Sequence, residues 1–396
     1  MIVYADNAST TQMTTEVIDA MISFMNSTYG NPSSLHSLGF SARNILNSAR
    51  NAIASCIGAD YGSEIIFTSG GTESDNQAII SATRIGQSMG KKHIITTPFE
   101  HPAVLNTVNG LKDKGFEVSF LNVSPGGIIS LDELERTIKN DTCLVSIMTV
   151  NNEIGTIQPI EQIGLICKNK NVLFHTDAVQ AVGHIDINVK RQNIDMLSAS
   201  AHKFHGPKGS GFLYAKKNTK VCNYFEGGHQ EFGKRPGTEN IIGIVGMNVA
   251  LIQSCNNMEK NMKKKYYLSK ILIDQINKIP HSVLNGDPLH LIPGIVNFCF
   301  EGIEGENLVH LLDQDGICVS TGSACTSGYL IPSHVLTSIG KSDRLALSSL
   351  RLSISEENTI DDVEYIIKSI NNKIEILRNS STTWRMLLQG QIQFEI

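Results

Sequence analysis

Apolar residues along the chain recur at spacings that predict both helices and strands. From Val17 to Met25 they recur at helical spacing, and a Gly-Asn-Pro-Ser-Ser segment at residues 30–34 then breaks the chain. We predict that a second helix follows this break and ends near Cys56. The chain is therefore expected to begin with two helices.

Short apolar runs separated by helix-like stretches come next. Strands bounded by helices predict βαβ units, and hence a mainly parallel sheet with helices on both faces. Sites in such sheets collect at the carboxyl ends of the strands, so the residues just after each run are the first candidates for chemistry. The runs predicted as strands cover residues 64–68, 93–97, 116–123, 142–150, 172–176, 195–199 and 211–215.

Beyond about residue 255 the regular alternation of short apolar runs and helix-like stretches ends, which predicts a second, smaller α+β unit. The charge run Lys260–Lys265 predicts a solvated helix face, whereas an apolar stripe from Ile360 to Leu377 predicts a helix packed in a core. Residues 379–396 show no clear pattern. Further strands are predicted at residues 295–300, 317–320 and 349–354.

Composition and charge exclude several classes of protein. With 33 Lys and Arg against 38 Asp and Glu, the net charge of −5 argues against a nucleic-acid binder that depends on many phosphate contacts. The apolar share of 41%, taken with the 33 glycines, argues against a mostly disordered chain.

No apolar run reaches the roughly 18–20 residues of a membrane-spanning helix, and the start has no pattern of a secretion signal. The eight cysteines are scattered without a CxxC pair, which indicates thiols in a reducing cytoplasm rather than a zinc site.

Polar residues at three strand ends suit one kind of cofactor. Gly70, Gly71 and Thr72 open a helix-like stretch that suits an anion, although a tight turn capped by the threonine also explains the pattern. Asp177 ends another run, where it either caps a turn or needs a cationic partner such as a protonated ring nitrogen. Lys203 directly follows a further run, where it is either a surface lysine or an amine held ready to form a Schiff base.

Together these positions match the needs of pyridoxal 5′-phosphate. This aldehyde cofactor needs an anion-binding turn for its phosphate, a carboxylate for its ring nitrogen and a lysine for a Schiff base. Thr72, Asp177 and Lys203 supply one each, from separate βα connections. Lys208 is a rival for the lysine, but it lies inside a Gly-Pro-Lys-Gly turn and is expected to be solvated.

Four more residues are candidates for chemistry. His101 suits stacking on a ring or moving protons, and Asn152 offers an amide to a ring oxygen, although both also fit ordinary turns. Cys325 lies among Ser, Thr, Gly and Ala residues, so it is either an accessible thiol on a mobile segment or an incidental loop cysteine. Arg351 lies within an apolar strand and suits a carboxylate, either of a substrate or of a structural salt bridge.

These residues stand in motifs that resemble the cysteine desulfurases of the NifS/IscS type, within the fold-type I pyridoxal-phosphate enzymes. The likeness covers essentially the whole chain. It implies an α/β fold with a large cofactor-binding domain over residues 15–255, and a smaller α+β domain of residues 1–14 and 256–396 that carries the cysteine loop. The matching motifs cover residues 4–11, 30–34, 68–74, 151–155, 177–180, 202–203, 235–240, 322–327 and 348–351.

The resemblance implies a reaction as well as a cofactor. L-cysteine would lose its sulfur to leave L-alanine and a persulfide on Cys325, which would be passed to a sulfur-accepting protein such as an iron–sulfur scaffold. Lys203 would carry the Schiff base, and His101 would stack on the ring and help proton transfer. The expected location is the cytoplasm, with no membrane and no direct nucleic-acid contact.

The resemblance also implies the binding residues. Arg351 would take the substrate carboxylate, with Asn31 and Asn152 around it. The protein would be a homodimer in which Thr238 reaches the phosphate bound by the other subunit. The residues implied to hold the cofactor are Gly71, Thr72, His101, Asn152, Asp177, Gln180, Ser200, His202, Lys203 and Thr238.

Other functions stay open from the sequence, because a fold does not fix a function. A selenocysteine lyase, an aminotransferase or another fold-type I enzyme would keep the same cofactor residues, and an aminotransferase would form no persulfide on Cys325. A non-catalytic binding scaffold is disfavoured by Lys203, Asp177 and Cys325. A thiol-switch protein is disfavoured because no cysteine other than Cys318 lies near Cys325 in sequence.

Overall fold

The structure is a computed structural model that describes residues 2–322 and 331–396, and strands and helices alternate in it as the apolar spacing predicts. The strands are β1 (Val3–Tyr4), β2 (Ile65–Thr68), β3 (His93–Thr96), β4 (Glu117–Phe120), β5 (Thr142–Ser146), β6 (Leu173–Asp177), β7 (Met196–Ser200), β8 (Gly211–Ala215), β9 (Ser282–Asn285), β10 (Ile295–Phe300), β11 (Ile317–Cys318) and β12 (Ser349–Ser353). The helices are α1 (Thr15–Ser27), α2 (Ser37–Cys56), α3 (Gly71–Ser88), α4 (Pro102–Lys112), α5 (Leu131–Thr137), α6 (Ile160–Asn169), α7 (Ile241–Ile276), α8 (Gly305–Gln314), α9 (His334–Ser338), α10 (Asp343–Ala346), α11 (Ile360–Ser380) and α12 (Thr382–Leu388).

The large sheet has the strand order β2-β8-β7-β6-β5-β3-β4 and is parallel from β4 to β7, with β8 antiparallel to both of its neighbours. Successive side chains of a strand point to opposite faces, so Ile95 of β3 joins one apolar core and Ile94 the other. Val145 and Leu144 of β5 divide in the same way. The prediction of a mainly parallel sheet covered on both faces is confirmed.

The smaller part of the structure is built on an antiparallel sheet of order β12-β10-β9. Phe298 and Leu350 are register partners in this sheet and lie in an apolar core with residues of α8 and α11. β11 pairs in parallel with β1 instead of joining the sheet. The residues that follow β1 thereby come to lie beside β12, where Asp6 forms a bridge with Ser353.

α7 connects the two parts, because its two halves pack in different apolar cores. Leu251 belongs to a core of the large sheet and Leu268 to the core of the smaller one. The predicted domain limit at residue 255 thus falls inside one continuous helix, and the limits of the two domains stay a prediction. By length and composition alone α7 is apolar enough to cross a membrane, but half of the apolar stretch is buried within the protein, as it is in a core helix.

Two segments differ from the predictions. Lys265 belongs to the charge run expected to be solvated, yet it is only 4% exposed. It precedes Leu268 by three residues and Leu272 by seven, so it shares their inward face of the helix. The end of the chain, which showed no clear pattern, contains α12, whose seven residues are too few to display an apolar period.

Candidate active site

A cavity of about 330 Å³ lies at the carboxyl ends of the parallel strands. Parallel strands end at the same edge of a sheet, so residues far apart in sequence meet there. The smaller part of the structure adds a wall from β12 and from the segment after β11. The predicted site residues that line the cavity are Gly71, Thr72, His101, Asn152, Asp177, Gln180, Ser200, His202, Lys203 and Arg351.

The amine of Lys203 is a nucleophile within this cavity. Lys203 ends the 3-10 turn that follows β7, and its Nζ donates to the carbonyl oxygens of Ala8 and Ser9 at 2.6 and 2.8 Å. Burial, and after it the charge of Arg351, lowers the pKa of this amine to about 8. A useful fraction is therefore neutral and nucleophilic near physiological pH.

Asp177 presents a carboxylate to the same cavity. It is the last residue of β6, it is 6% exposed, and its Oδ1 accepts a hydrogen bond from Val179 N at 2.9 Å. Burial raises its pKa, and interactions with the neighbouring His101 and Lys203 oppose that effect. A carboxylate in such a place is stabilised by a further cationic group, for which a protonated ring nitrogen is suitable.

The turn from β2 into α3 is shaped to hold an anion. A helix leaves its first N–H groups without intrahelical partners, and these groups attract negative charge. Gly70 has a φ of +153°, which L side chains rarely adopt, and a Cβ on Gly71 would lie 2.6 Å from Val179 Cγ2. The two glycines therefore allow the backbone to approach the cavity wall. Ser200 and His202 line the cavity with them, and burial lowers the pKa of His202 to about 4.

The hydrogen bonding of His101 defines which ring nitrogen carries the proton when the ring is neutral. It is the N-cap of α4, where its Nδ1 accepts a hydrogen bond from Ala103 N at 3.1 Å. Burial lowers its pKa, although the charge of Asp177 opposes this. The ring is thus neutral at physiological pH, and because Nδ1 accepts, Nε2 must carry the proton.

Arg351 lies in the middle of β12 and is 3% exposed. Its Nη2 donates to Asp6 Oδ1 at 2.9 Å and to Ser9 Oγ at 2.6 Å. Its Nη1 donates to the carbonyl oxygen of Asn152 at 2.9 Å. The structural salt bridge suggested by the sequence is therefore present, and it holds the guanidinium at the cavity wall, where its fork suits a second carboxylate.

Of the remaining predicted residues, some line the cavity and others do not. Gln180 Nε2 donates to the carbonyl oxygen of Ala8 at 2.8 Å, which is also an acceptor for Lys203. Asn31 and Thr238 are exposed and do not line the cavity of this chain, so their roles stay predictions. Cys325 lies outside the described residues.

Sequence reasoning missed several groups at the site. The backbone carbonyls that receive the Lys203 amine have no side-chain signal, and Asp6 was given no role. Asp75 was also missed, although it follows Gly71 by four residues, or about one helical turn, and so faces the same wall. It is buried with His175 Nε2 at 3.6 Å from its Oδ1, and burial and the charge of Asp177 raise its pKa well above the usual range.

These groups fit pyridoxal 5′-phosphate. The amine with a pKa of about 8 suits the aldehyde, the buried carboxylate of Asp177 suits the ring nitrogen, and the glycine turn at the start of α3 suits the phosphate. The three lie around one cavity.

Comparison with known proteins identifies the relatives of this chain. Residues 3–366 match the family model described as aminotransferase class-V. The chain is 47% identical over 379 residues to a cysteine desulfurase IscS of Methanosarcina thermophila, with 96% of this chain and 93% of that protein covered. It is 46% identical over 392 residues to a cysteine desulfurase IscS of Clostridium botulinum, with 98% of each covered. A solved structure of a NifS-like protein superposes with a TM-score of 0.89 at 38% identity, covering 95% of this chain and 100% of the other.

Proposed function

The chain belongs to the aminotransferase class-V family and is a cysteine desulfurase that uses pyridoxal 5′-phosphate, and on this basis we propose which of its residues carry out the reaction. The observation that supports the assignment most is the meeting of Lys203, Asp177 and Arg351 at one cavity. When bound, the cofactor supplies an electron sink for the bonds at the substrate α-carbon. The protein supplies binding, orientation and proton transfer.

Lys203 attaches the cofactor through its Nζ, and Asp177 pairs with the ring nitrogen. Gly71, Thr72, Ser200 and His202 hold the phosphate, supported by the free N–H groups at the start of α3. Asn152 and Gln180 line the same cavity and would bind the oxygen side of the ring.

The attachment of the cofactor is expected to become faster as the pH rises towards 8. The neutral amine is the reactive form, and the pKa of Lys203 is lowered to about 8, so its neutral fraction rises roughly 50-fold between pH 6 and pH 8. The measurement is the rate at which the visible absorbance appears when cofactor-free protein is mixed with pyridoxal phosphate at fixed concentration. A rate that still rises tenfold per pH unit above pH 9 would contradict the lowered pKa. The Lys203→Ala variant gives the background.

Proton transfer at the substrate α-carbon is assigned to Lys203 and His101. The amine of Lys203 would remove the α-proton once it is free of the cofactor, because its pKa of about 8 leaves it partly neutral. His101 would stack on the ring and could donate a proton from Nε2, since its Nδ1 accepts the Ala103 N–H. A proton delivered to the substrate β-carbon, followed by return of a proton to the α-carbon, would complete alanine.

Arg351 binds the substrate carboxylate, with Asn152 beside it and Asn31 as a further contact. The contacts of Arg351 with Asp6 and Ser9 orient the guanidinium before substrate arrives. Orientation in advance reduces the entropy lost on binding.

Replacing Arg351 with lysine is expected to raise KM for L-cysteine about 10- to 100-fold with a smaller change in kcat. Lysine keeps the charge but loses the planar fork, and the loss of substrate binding common to ground and transition states appears in KM. Arg344→Lys is the matched control, because Arg344 pairs with Glu395 at the surface. An unchanged KM in Arg351→Lys would remove the carboxylate-binding role.

Cys325 is proposed as the sulfur acceptor. Ser320 and Gly322 line the cavity, and Cys325 follows Gly322 by three residues, a distance of at most about 10 Å in extended chain. Its thiolate attacks the substrate sulfur, so that an S–S bond forms, the C–S bond breaks and the bond pair passes to the substrate β-carbon. The resulting persulfide is passed to a sulfur-accepting protein such as an iron–sulfur scaffold.

The activity is tested by incubating the holoenzyme with L-cysteine and a reductant and measuring alanine. Alanine with a persulfide on the protein supports the assignment. A keto acid with no persulfide would indicate an aminotransferase. Faster turnover of L-selenocysteine, with little alanine from L-cysteine, would indicate a selenocysteine lyase.

The protein is proposed to act as a homodimer in the cytoplasm. Ile18, Ile22 and Met25 form an exposed apolar stripe along α1, and Tyr29 and Leu35 are also exposed in the loop that follows. Such a surface is typical of an interface between subunits. Thr238 is exposed outside the cavity of its own chain, as a residue that serves the other subunit would be.

Replacing Ile22 with aspartate is expected to shift the protein from dimer to monomer. Ile22 is 51% exposed in the single chain, and a charge placed in an apolar interface loses its water without gaining a partner. Sedimentation velocity measures the change, and Met89→Asp is the control because Met89 is exposed directly after the end of α3 and is not part of the α1 stripe. A dimer of unchanged affinity in Ile22→Asp would place the interface elsewhere.

A further inference from the structure

Behind the reactive lysine, a buried ammonium group contacts a histidine. Lys265 lies in the second half of α7 and is 4% exposed. Its Nζ lies 3.2 Å from Nδ1 of His184, and the Nε2 of the same ring lies 2.8 Å from the carbonyl oxygen of Lys203. One imidazole thus connects the second half of α7 to the peptide of the reactive lysine.

The direction of both hydrogen bonds follows from their partners. A carbonyl oxygen only accepts, so Nε2 of His184 must carry a proton and donate it to Lys203. A lysine ammonium only donates, so Nδ1 must accept from Lys265. This is the neutral imidazole with one defined tautomer, in agreement with a pKa that burial, and after it the charge of Lys265, lowers to about 3.

The negative charge of Glu356 opposes the effect of burial on the pKa of Lys265. Burial lowers the pKa of Lys265, whereas the negative charge of Glu356 raises it. Glu356 is fixed in turn by Asn261 Nδ2 at 2.9 Å and by His205 Nε2 at 3.4 Å, and Lys264 Nζ donates to its backbone oxygen. Lys265, Glu356 and His205 line a small cavity of about 30 Å³ together with Lys203 and His184.

Two successive backbone carbonyl oxygens, those of His202 and Lys203, accept hydrogen bonds that fix the backbone at the reactive lysine. The carbonyl oxygen of His202 accepts from the N–H and the hydroxyl of Thr11, at 2.9 and 3.0 Å. The carbonyl oxygen of Lys203 accepts from His184. Fixing both peptides limits how the lysine side chain is directed into the site.

We infer, on the basis of the proposed role of Lys203, that Lys265 and His184 are positioning residues for the reactive lysine. Lys265 selects the tautomer of His184, and that tautomer holds the Lys203 carbonyl. Without the ammonium, the ring is free to adopt the other tautomer, in which Nε2 faces the carbonyl with a lone pair instead of a proton. Loss of that bond lets the lysine peptide shift, and shifts of about 1 Å cost up to 10²-fold in rate.

Replacing Lys265 with methionine, which keeps most of the side-chain volume, is expected to lower kcat for alanine formation about tenfold with little change in KM. His184→Phe should give a similar loss because it removes both hydrogen bonds. His184→Gln should retain most activity, since its amide supplies one donor and one acceptor.

Lys263→Met is the matched control, because Lys263 is exposed on the same helix and pairs only with Glu259 in an i,i+4 bridge among the described residues. Thermal unfolding of each variant reports whether the fold is kept.

Two further readouts separate positioning from a general structural effect. The rate at which cofactor-free protein attaches pyridoxal phosphate should fall in Lys265→Met. In His184→Gln it should stay close to the rate of the unmodified protein. The double variant Lys265→Met with His184→Phe should be no slower than His184→Phe alone, because both changes act through one carbonyl. A Lys265→Met variant that matches Lys263→Met in kcat and attachment rate, or a double variant that loses the product of the single effects, would overturn the inference. If the unmodified protein makes no alanine while the attachment rates still differ, the proposed function fails and the positioning role stands.

Discussion

The Lys203→Ala variant is expected to form alanine from L-cysteine at least about 10³-fold more slowly than the unmodified protein. The substitution removes the group proposed both to attach the cofactor and to move the substrate α-proton. The cavity leaves no other lysine to replace it, since Lys203 is the lysine that lines the wall in the part of the chain that the structure describes. Alanine formation with a saturating excess of pyridoxal phosphate measures the loss without confusing it with weak cofactor binding.

Lys208→Ala is the matched control for this experiment. Lys208 lies five residues away, was the rival from the sequence, and is exposed in the Gly-Pro-Lys-Gly turn. It should keep turnover within about twofold of the unmodified protein, as surface substitutions usually do. Turnover near the unmodified rate in Lys203→Ala, or a comparable loss in Lys208→Ala, would contradict the assignment of Lys203 as the reactive lysine.

The Cys325→Ala variant is expected to lose at least about 10³-fold in alanine formation while keeping the visible absorbance of the bound cofactor. The proposed role of the Cys325 thiolate is to take the substrate sulfur, whereas cofactor attachment is assigned to Lys203. Alanine release and mass spectrometry of the persulfide, both measured with a reductant present, check the two statements separately.

Cys318→Ala controls for the general loss of a thiol near the site. Cys318 lies in β11, and burial raises the pKa of its thiol, so less of it is the reactive thiolate. Its loss should leave turnover close to that of the unmodified protein. Equal alanine from Cys325→Ala and the unmodified protein would keep the cofactor assignment and remove Cys325 as the obligatory acceptor.

The residues that sequence reasoning identified best are those that follow strands. Asp177 ends β6, Lys203 closes the turn after β7, and Thr72 opens α3 after β2. Each was visible because an apolar run predicts a buried strand, and a charged or polar residue at its end needs a reason. Their meeting at one cavity follows from a rule about parallel sheets, so it was predictable without coordinates.

Groups brought from the far ends of the chain were not predictable in this way. Asp6 pairs with Arg351 across 345 positions, because β1 pairs with β11 and passes beside β12. The carbonyl oxygens that receive Lys203 come from the same segment, and a backbone acceptor has no signature in a sequence. Lys265 looked like part of a solvated run, because the turn of α7 that carries it inward is set by what the helix packs against.

The sequence by itself determined the mainly parallel sheet, the strand ends that carry the cofactor residues, and the type of chemistry those residues suit. These follow from local properties: apolar periodicity, the cost of burying a charge, and the backbone freedom of glycine. The tertiary structure alone decided the partners of Arg351, the lowered pKa of Lys203 and the histidine behind it. Such features depend on distance and on exclusion of water, which exist only once segments remote in sequence are packed together.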